Sequence, residues 1–263
     1  MDFDDLTEDE KVRVASSFET TPELLPFIPY LLQDLWELGS SPEIIINILN
    51  KVELPSNCRL LDLACGKGAL SIQIARKLRF KCYGVDLFES FIAEARQKAN
   101  DLGLSEVCKF ETQDINHTVK TKKNFDVVLL AAAESLLGTI DNAIKLLRQC
   151  VRSGGYIIYD GAFMNEGEVI YKPEYSVIRN YEETIRLLTT YNDQLVLEVK
   201  IPGKEIKAIN DRYNEFIKKR ANELLNQFPE KKELLLGYVK RQEKECEIIE
   251  NDITGCVWCL QKK

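Results

Sequence analysis

The 263-residue sequence is short of the residues that several functional classes require. It has one histidine, His117, and eight cysteines, of which only Cys256 and Cys259 form a CxxC pair. A single pair without further ligands does not make a structural zinc site, and its place at the chain's end is not that of a thioredoxin-like motif. We therefore expect no metal site, and we interpret the cysteines as buried thiols of a cytosolic protein.

Long apolar runs and an excess of basic charge are also absent. No stretch of roughly eighteen uncharged apolar residues occurs, and residues 1–5 are acidic where a signal peptide is basic. The formal net charge is −7, which disfavours a nucleic-acid partner. These absences predict a cytoplasmic protein with no membrane span and no nucleic-acid-binding surface.

From residue 59 onward, short apolar strands alternate with helices. The predicted strands are residues 59–63, 82–86, 109–113, 126–131 and 156–159, with a turn at Gly154 and Gly155 before the last. The predicted helices between them are residues 70–78, 91–102 and 141–150. Such alternation is typical of a parallel sheet with right-handed crossovers.

A glycine-rich turn, DLACGKGAL at residues 62–70, joins the first strand to the first helix. Glycines let a ligand approach the backbone closely, and open α/β sheets bind ligands at the carboxyl ends of their strands. Asp62 ends the first strand, Asp86 ends the second, and Asp114 follows the third. Taken singly, Asp62 and Asp86 are equally well explained as caps for the turn and for the following helix.

In this combination of three acids and a glycine turn, residues 59–160 resemble class I S-adenosylmethionine (SAM)-dependent methyltransferases of the small-molecule branch. Ala64 stands where that family has its first glycine. The resemblance implies an α/β fold: a seven-stranded, mostly parallel, doubly wound sheet whose last strand is antiparallel, with a helical cap. A nicotinamide-binding fold is the weaker alternative, because Ser71 stands where the dinucleotide fingerprint has Gly or Ala.

The resemblance also implies which residues surround the cofactor, SAM. Asp86 is expected to accept hydrogen bonds from the ribose hydroxyls, Asp114 to lie against the adenine amino group, and the glycine turn to lie under the methionine moiety. The predicted cofactor-binding residues are Asp62, Ala64, Cys65, Gly66, Gly68, Asp86, Leu87, Gln113, Asp114, Ile115 and Ala131.

Methyl transfer asks mainly for an acceptor aligned in line with the methyl group and shielded from water, and for a base only if the acceptor arrives protonated. Glu134, after the fourth strand, is the catalytic candidate, although a helix-starting carboxylate is its more ordinary interpretation. Asp160 is a weaker candidate. The predicted acceptor-binding residues, each equally explicable as packing, are Tyr30, Trp36, Met164 and Tyr175.

We expect four segments along the chain. They are an N-terminal helical cap (1–52), a SAM-binding core (53–202), a helical insertion that is a lid or a dimerisation arm (203–250), and a final core strand (251–263). The predicted function is methyl transfer from SAM to a small molecule by in-line displacement, with a homodimer if the insertion serves as an arm. The alternatives are a methyltransferase acting on RNA or protein, and a non-catalytic SAM-binding module.

Overall fold

A computed structural model describes residues 7–165 and 178–263. In the part described, seven strands form one sheet in the order β3-β2-β1-β4-β5-β7-β6. The strands are β1 (Arg59–Leu63), β2 (Lys81–Asp86), β3 (Cys108–Thr112), β4 (Phe125–Ala131), β5 (Val151–Met164), β6 (Gln194–Ile201) and β7 (Ile253–Gln261). Strands β1 to β5 are parallel, and β7 is antiparallel to both of its neighbours, β5 and β6. The expected seven-stranded, mostly parallel sheet with an antiparallel last strand is confirmed.

Helices cover both faces of the sheet and its carboxyl edge. They are α1 (Glu8–Ser17), α2 (Ile28–Leu31), α3 (Pro42–Leu49), α4 (Ala69–Leu78), α5 (Glu89–Asp101), α6 (Ile115–Thr121), α7 (Ile140–Cys150), α8 (Tyr181–Leu188), α9 (Gly203–Gln227) and α10 (Lys232–Asn251). Within residues 7–165 and 178–263, three short 3-10 helices lie at Pro22–Phe27, Glu134–Leu137 and Pro229–Lys231. None of the described helices is both long enough and apolar enough to cross a membrane.

The central strand β4 is continuously apolar from Val127 to Ala131. All seven of its residues are buried. Val127 and Leu129 belong to the apolar cluster on one face of the sheet, and Val128 and Leu130 to the cluster on the other. Because side chains alternate across a strand, a strand covered by helices on both faces favours apolar residues at successive positions. Asp126, near the start of the strand, is the exception and pairs with Arg152.

The predicted turn at Gly154 and Gly155 is wrong, because both residues lie inside β5. The register between β4 and β5 passes from Phe125↔Val151 to Val127↔Tyr156, so the chain bulges between these pairs. Gly154 has φ +71°, a left-handed conformation that suits such a bulge and that also suits a turn. Local sequence alone does not separate the two.

Above the carboxyl edge, helices from both ends of the chain form a cap. Helices α1, α2, α9 and α10 share an apolar cluster with Phe88 and Phe91 of the core. Arg220 of α9 donates two hydrogen bonds of 2.7 Å to the Asp34 carboxylate. Bidentate arginine–carboxylate pairs are among the strongest side-chain hydrogen bonds, so this pair fixes the two parts of the cap to each other.

Candidate functional site

The glycine turn that follows β1 has an unusual backbone conformation. Ala64, Gly66 and Gly68 have φ values of +58°, +52° and +73°, all left-handed. A Cβ atom added to Gly68 would lie 2.8 Å from the Phe110 ring and 2.9 Å from the Ala95 Cβ, so only glycine fits there. The left-handed conformation costs alanine free energy, so the surrounding structure must hold Ala64 in it.

Asp62 lies beneath this turn, behind the cavity wall. Its Oδ2 accepts a 2.7 Å hydrogen bond from the Ser71 hydroxyl, and its buried Oδ1 has no partner within the described residues. Burial raises the pKa of Asp62 to about 7, against the lowering effect of the Ser71 hydrogen bond. Asp62 therefore supports the turn from below and retains one unused acceptor.

Asp86 connects the turn to the start of α5. One carboxylate oxygen accepts from the Gly66 N–H at 2.8 Å, and the other accepts from the Phe88 N–H at 3.0 Å. Burial raises the pKa of Asp86, while these backbone hydrogen bonds oppose the rise. Each carboxylate oxygen has capacity for a second donor, so Asp86 can hold the turn and still accept from a ligand in the cavity that it lines.

Asp114 joins α6 to the N-terminal helix. Its Oδ1 accepts from the Asn116 N–H at 2.8 Å as a helix cap, and its Oδ2 accepts from Arg13 at 2.9 Å. Partial burial opposes ionisation, but the Asn116 hydrogen bonds and the Arg13 charge outweigh it and lower the pKa of Asp114. The adenine-side candidate is thus an ionised carboxylate covered by α1.

A cavity of about 300 Å³ lies between the carboxyl edge of the sheet and the cap. Its wall includes most of the predicted cofactor-binding residues. These are Ala64, Cys65, Gly66, Asp86, Leu87, Gln113, Asp114, Ile115 and Ala131. Asp62 and Gly68 stand outside the wall, where they shape the turn rather than face the cavity.

Lys67, inside the glycine turn, was not predicted as a site residue. Its side chain is 1% exposed, and its ammonium group donates to the Leu32 carbonyl at 3.0 Å and pairs with Glu94 at 2.9 Å. The Lys67 carbonyl in turn accepts from the indole N–H of Trp36 at 3.3 Å. Lys67 therefore fixes the turn to the cap, and Trp36 lines the cavity as part of that contact.

A second unpredicted contact joins Ser40 and Asp160. The Ser40 hydroxyl, on the cavity wall, donates to the Asp160 carboxylate of β5, which lies directly beside Ala131 in the sheet. Burial raises the pKa of Asp160 to about 6, and the Ser40 hydrogen bond opposes the rise. A Cβ atom on the preceding Gly39 would lie 2.8 Å from the Ala132 Cβ, so this segment presses against the end of β4.

The other predicted acceptor residues do not share the position of Trp36. The Tyr30 hydroxyl donates to Glu223 at 2.8 Å within the cap, and Met164 packs against a separate apolar cluster near Ile178. Neither belongs to the cavity wall. Tyr175 lies outside the described residues. Glu134 begins the 3-10 helix that follows β4.

The insertion contributes a wall that the sequence interpretation did not assign. Asn210, Tyr213, Asn214 and Ile217 of α9 recur at helical spacing and line the cavity, together with residues of α10. The available signal was the pair of asparagines on the same helical stripe as buried Ile217. Polar residues among apolar ones on a buried face are candidates for ligand contact.

These features meet the requirements of SAM. The turn brings the backbone of Gly66 to the cavity, and Asp86 offers acceptor capacity at the end of β2. Ligand sites of open α/β sheets lie at this edge. Fold and site together define the class I methyltransferase architecture.

Comparison with known proteins agrees. Residues 54–219 match the family model described as "Methyltransferase domain", so the chain belongs to that family. It is 26% identical over 137 residues to the sterol 4-C-methyltransferase strm-1 of Caenorhabditis elegans, covering 52% of this chain and 41% of that protein. It is 32% identical over 105 residues to a fatty-acid O-methyltransferase of Mycolicibacterium smegmatis, covering 40% of this chain and 37% of the relative. The chain thus spans less than half the length of these curated relatives.

The structural similarity to solved methyltransferases covers more of the chain than the sequence similarity does. A SAM-dependent methyltransferase from Geobacter sulfurreducens, solved with S-adenosyl-L-homocysteine, superimposes with a TM-score of 0.75 at 19% identity. The superposition covers 90% of this chain and 98% of the other. The fold is therefore that of a methyltransferase of this class, and SAM is the cofactor of the class.

Proposed function

We propose that this protein transfers a methyl group from SAM to a small molecule held beneath the helical cap. The observation that carries the proposal is the cavity itself. One wall combines the glycine turn with Asp86, and the opposite wall belongs to helices α9 and α10. This arrangement supports adjoining places for cofactor and acceptor in one cavity, as in-line transfer requires.

Each residue of the cofactor wall has a separate task. When bound, SAM supplies an electrophilic methyl group on a sulfonium sulfur. Asp86 accepts hydrogen bonds from the ribose hydroxyls, and Asp114, oriented by Arg13 and Asn116, faces the adenine side. Gly66 allows the methionine portion to lie against the backbone, and Ala131 leaves room at the end of β4.

Two carboxylates are candidates for taking a proton from a protic acceptor. Asp160 is buried and bonded to Ser40, which itself faces the cavity, so a proton can pass from the acceptor through the Ser40 hydroxyl. A pKa of about 6 leaves Asp160 largely ionised at neutral pH. Glu134, at the end of β4, is the other candidate.

A small acceptor fits the enclosure better than a macromolecule. Two of the three basic side chains in the run at residues 218–220 of α9 already have partners: Lys218 pairs with Glu243, and Arg220 with Asp34 and Glu223. The sterol methyltransferase of Caenorhabditis elegans, named above, acts on a small molecule and supports the same choice.

We also propose the division of labour along the chain and the compartment. Residues 1–52 and 203–250 form the cap, and 53–202 with 251–263 form the core. Because residues of α9 and α10 line the cavity, the insertion acts as a lid rather than a dimerisation arm.

All eight cysteines are free thiols, which supports a reducing compartment such as the cytoplasm.

The proposal is tested by following the methyl group of SAM. The protein is incubated with methyl-labelled SAM in four separate reactions. Each reaction contains one fraction of a cell lysate: the lipid extract, the remaining low-mass fraction, the RNA or the protein. We expect label in a low-mass product, and none with Asp86→Ala. Label in RNA or protein would contradict the small-molecule acceptor, and binding of SAM without any labelled product would favour the non-catalytic alternative.

A further inference from the structure

The cap side of the cavity carries a cluster of side-chain amides among apolar residues. Asn210 and Asn214 extend from α9, and Gln242 extends from α10; all three line the cavity and are half-buried. Their neighbours on the wall are apolar or aromatic, among them Ile217, Tyr238 and Ile249. An apolar pocket with a few converging polar groups fixes the orientation of its ligand through those groups.

Hydrogen bonds within the cap determine which end of each amide is available. The Asn210 amide nitrogen donates to Glu250 at 3.2 Å, and the Gln242 amide nitrogen donates to Glu245 at 3.3 Å. An ionised carboxylate only accepts, so it is the nitrogen of each amide that must face it. The carbonyl oxygens of Asn210 and Gln242 are therefore the groups left to accept a hydrogen bond.

Asn214 repeats the pattern on the adjoining turn of α9. Its amide nitrogen donates to the Cys246 sulfur of α10 at 3.4 Å. Across residues 7–165 and 178–263, no side chain donates a hydrogen bond to the amide oxygens of Asn214 or Gln242. These two oxygens are therefore available to accept a hydrogen bond from a ligand in the cavity.

The charges on the wall point the same way. Arg13 and Lys67 are the basic side chains on the described part of the wall, and they pair with Asp114 and Glu94. The acid Glu245 lies beside the amide cluster. An anionic head group, such as a carboxylate or a phosphate, would find no unpaired cation among these residues, whereas a hydrogen-bond donor would find several acceptors.

We propose that the amide oxygens of Asn214 and Gln242 select the acceptor by its hydrogen-bond donor: an apolar small molecule carrying a hydroxyl or an amino group, and not an anionic head. This inference rests on the proposed function, because it assumes that the cap side of the cavity holds the acceptor. It adds the chemical class of that acceptor and the residues that recognise it.

The test measures binding rather than turnover, with defined probes. Protein saturated with S-adenosylhomocysteine is titrated calorimetrically with 1-octanol, octylamine, octanoate and methyl octyl ether. We expect 1-octanol or octylamine to bind roughly tenfold more tightly than the ether, which lacks a donor, as one net hydrogen bond allows. Octanoate should bind no better than the ether. Comparison of alcohol with amine identifies which donor the site takes.

Two near-isosteric variants connect the preference to the amides. Asn214→Leu and Gln242→Met remove the carbonyl oxygens while keeping apolar volume, and together they should abolish the preference for a donor while leaving the ether's affinity unchanged. Asn226→Leu, an exposed position on the same helix, is the matched control and should behave as the wild type. Ether affinity also reports whether the variants keep an intact cavity.

The possible outcomes distinguish failure of this inference from failure of the proposed function. A preference that survives in the double variant, no preference in the wild type, tighter binding of octanoate, or no binding of any probe would overturn this inference. S-adenosylhomocysteine is titrated alone before any probe is added. If it does not bind, that result would instead overturn the proposed function.

Discussion

The Arg13 guanidinium lies 2.9 Å from the Asp114 carboxylate and joins the first helix of the cap to the carboxyl edge of the sheet. The two residues are 101 positions apart in the chain. Arg13 and Asp114 both line the cavity. The N-terminal helix is therefore attached at the place where the adenine side of the cofactor is expected, and its position and cofactor binding should influence each other.

The first prediction concerns this ion pair. Arg13→Ala should loosen α1, because a half-buried pair contributes on the order of 1 kcal/mol. Amide hydrogen exchange in α1 should then become roughly fivefold faster. Lys11→Ala, which removes a pair with exposed Glu8 within the same helix, is the control and should change exchange far less. Equal effects of the two variants would show that the Arg13 contact does not hold the helix.

The second prediction concerns the left-handed alanine in the glycine turn. Ala64→Gly should stabilise the protein by about 1 kcal/mol, because glycine adopts φ +58° without strain. Ala93→Gly, at an exposed site inside α5, should destabilise it by about 1 kcal/mol. Urea unfolding of both variants measures the difference. Destabilisation by Ala64→Gly would mean that the lost methyl contacts outweigh the relieved strain.

The third prediction follows from the buried carboxyl of Asp160. Its folded pKa of about 6 lies above the ordinary value of 3.8, so between these values the folded state holds a proton that the unfolded state releases. The contribution of Asp160 to the free energy of unfolding should therefore fall as pH rises from about 4 to 6, by on the order of 2 kcal/mol. Asp160→Asn should remove this part of the slope and be more stable than the wild type at neutral pH.

Urea unfolding across that pH range checks the third prediction. Asp101→Asn, at the exposed end of α5, is the control and should leave the slope unchanged. Since Asp62 has the same direction of shift, some slope should remain in Asp160→Asn. A slope identical to that of the wild type would show that Asp160 titrates alike in both states.

The parts of the fold that depend on local pattern could be predicted from the sequence. The continuous apolar run of β4 predicts a strand covered on both faces, and the acid–glycine pattern at residues 62–68 predicts the turn and its edge of the sheet. The bulge at Gly154 could not be predicted, because a left-handed glycine serves a bulge and a turn equally well.

The contacts that complete the cavity join residues far apart in the chain, and local sequence pattern does not predict them. The Ser40 hydroxyl donates to Asp160, which is 120 residues away in the chain. The Tyr30 hydroxyl does not face the cavity and donates to Glu223, which is 193 residues away. Helical periodicity shows which residues of α9 share a face, but not which surface that face meets. An aromatic residue in a cap segment is therefore equally consistent with ligand contact, as at Trp36, and with packing, as at Tyr30.

The central claim is that Asp86 and the glycine turn hold SAM, and calorimetric titration of SAM and S-adenosylhomocysteine tests it most directly. Wild type should bind both, and Asp86→Ala should weaken binding by roughly 100-fold, the loss expected for two hydrogen bonds to a carboxylate. Asp101→Ala and the circular dichroism of each variant control for folding. Binding by wild type that collapses in Asp86→Ala is the result the account predicts; no binding to folded wild type, or full affinity in folded Asp86→Ala, would contradict it.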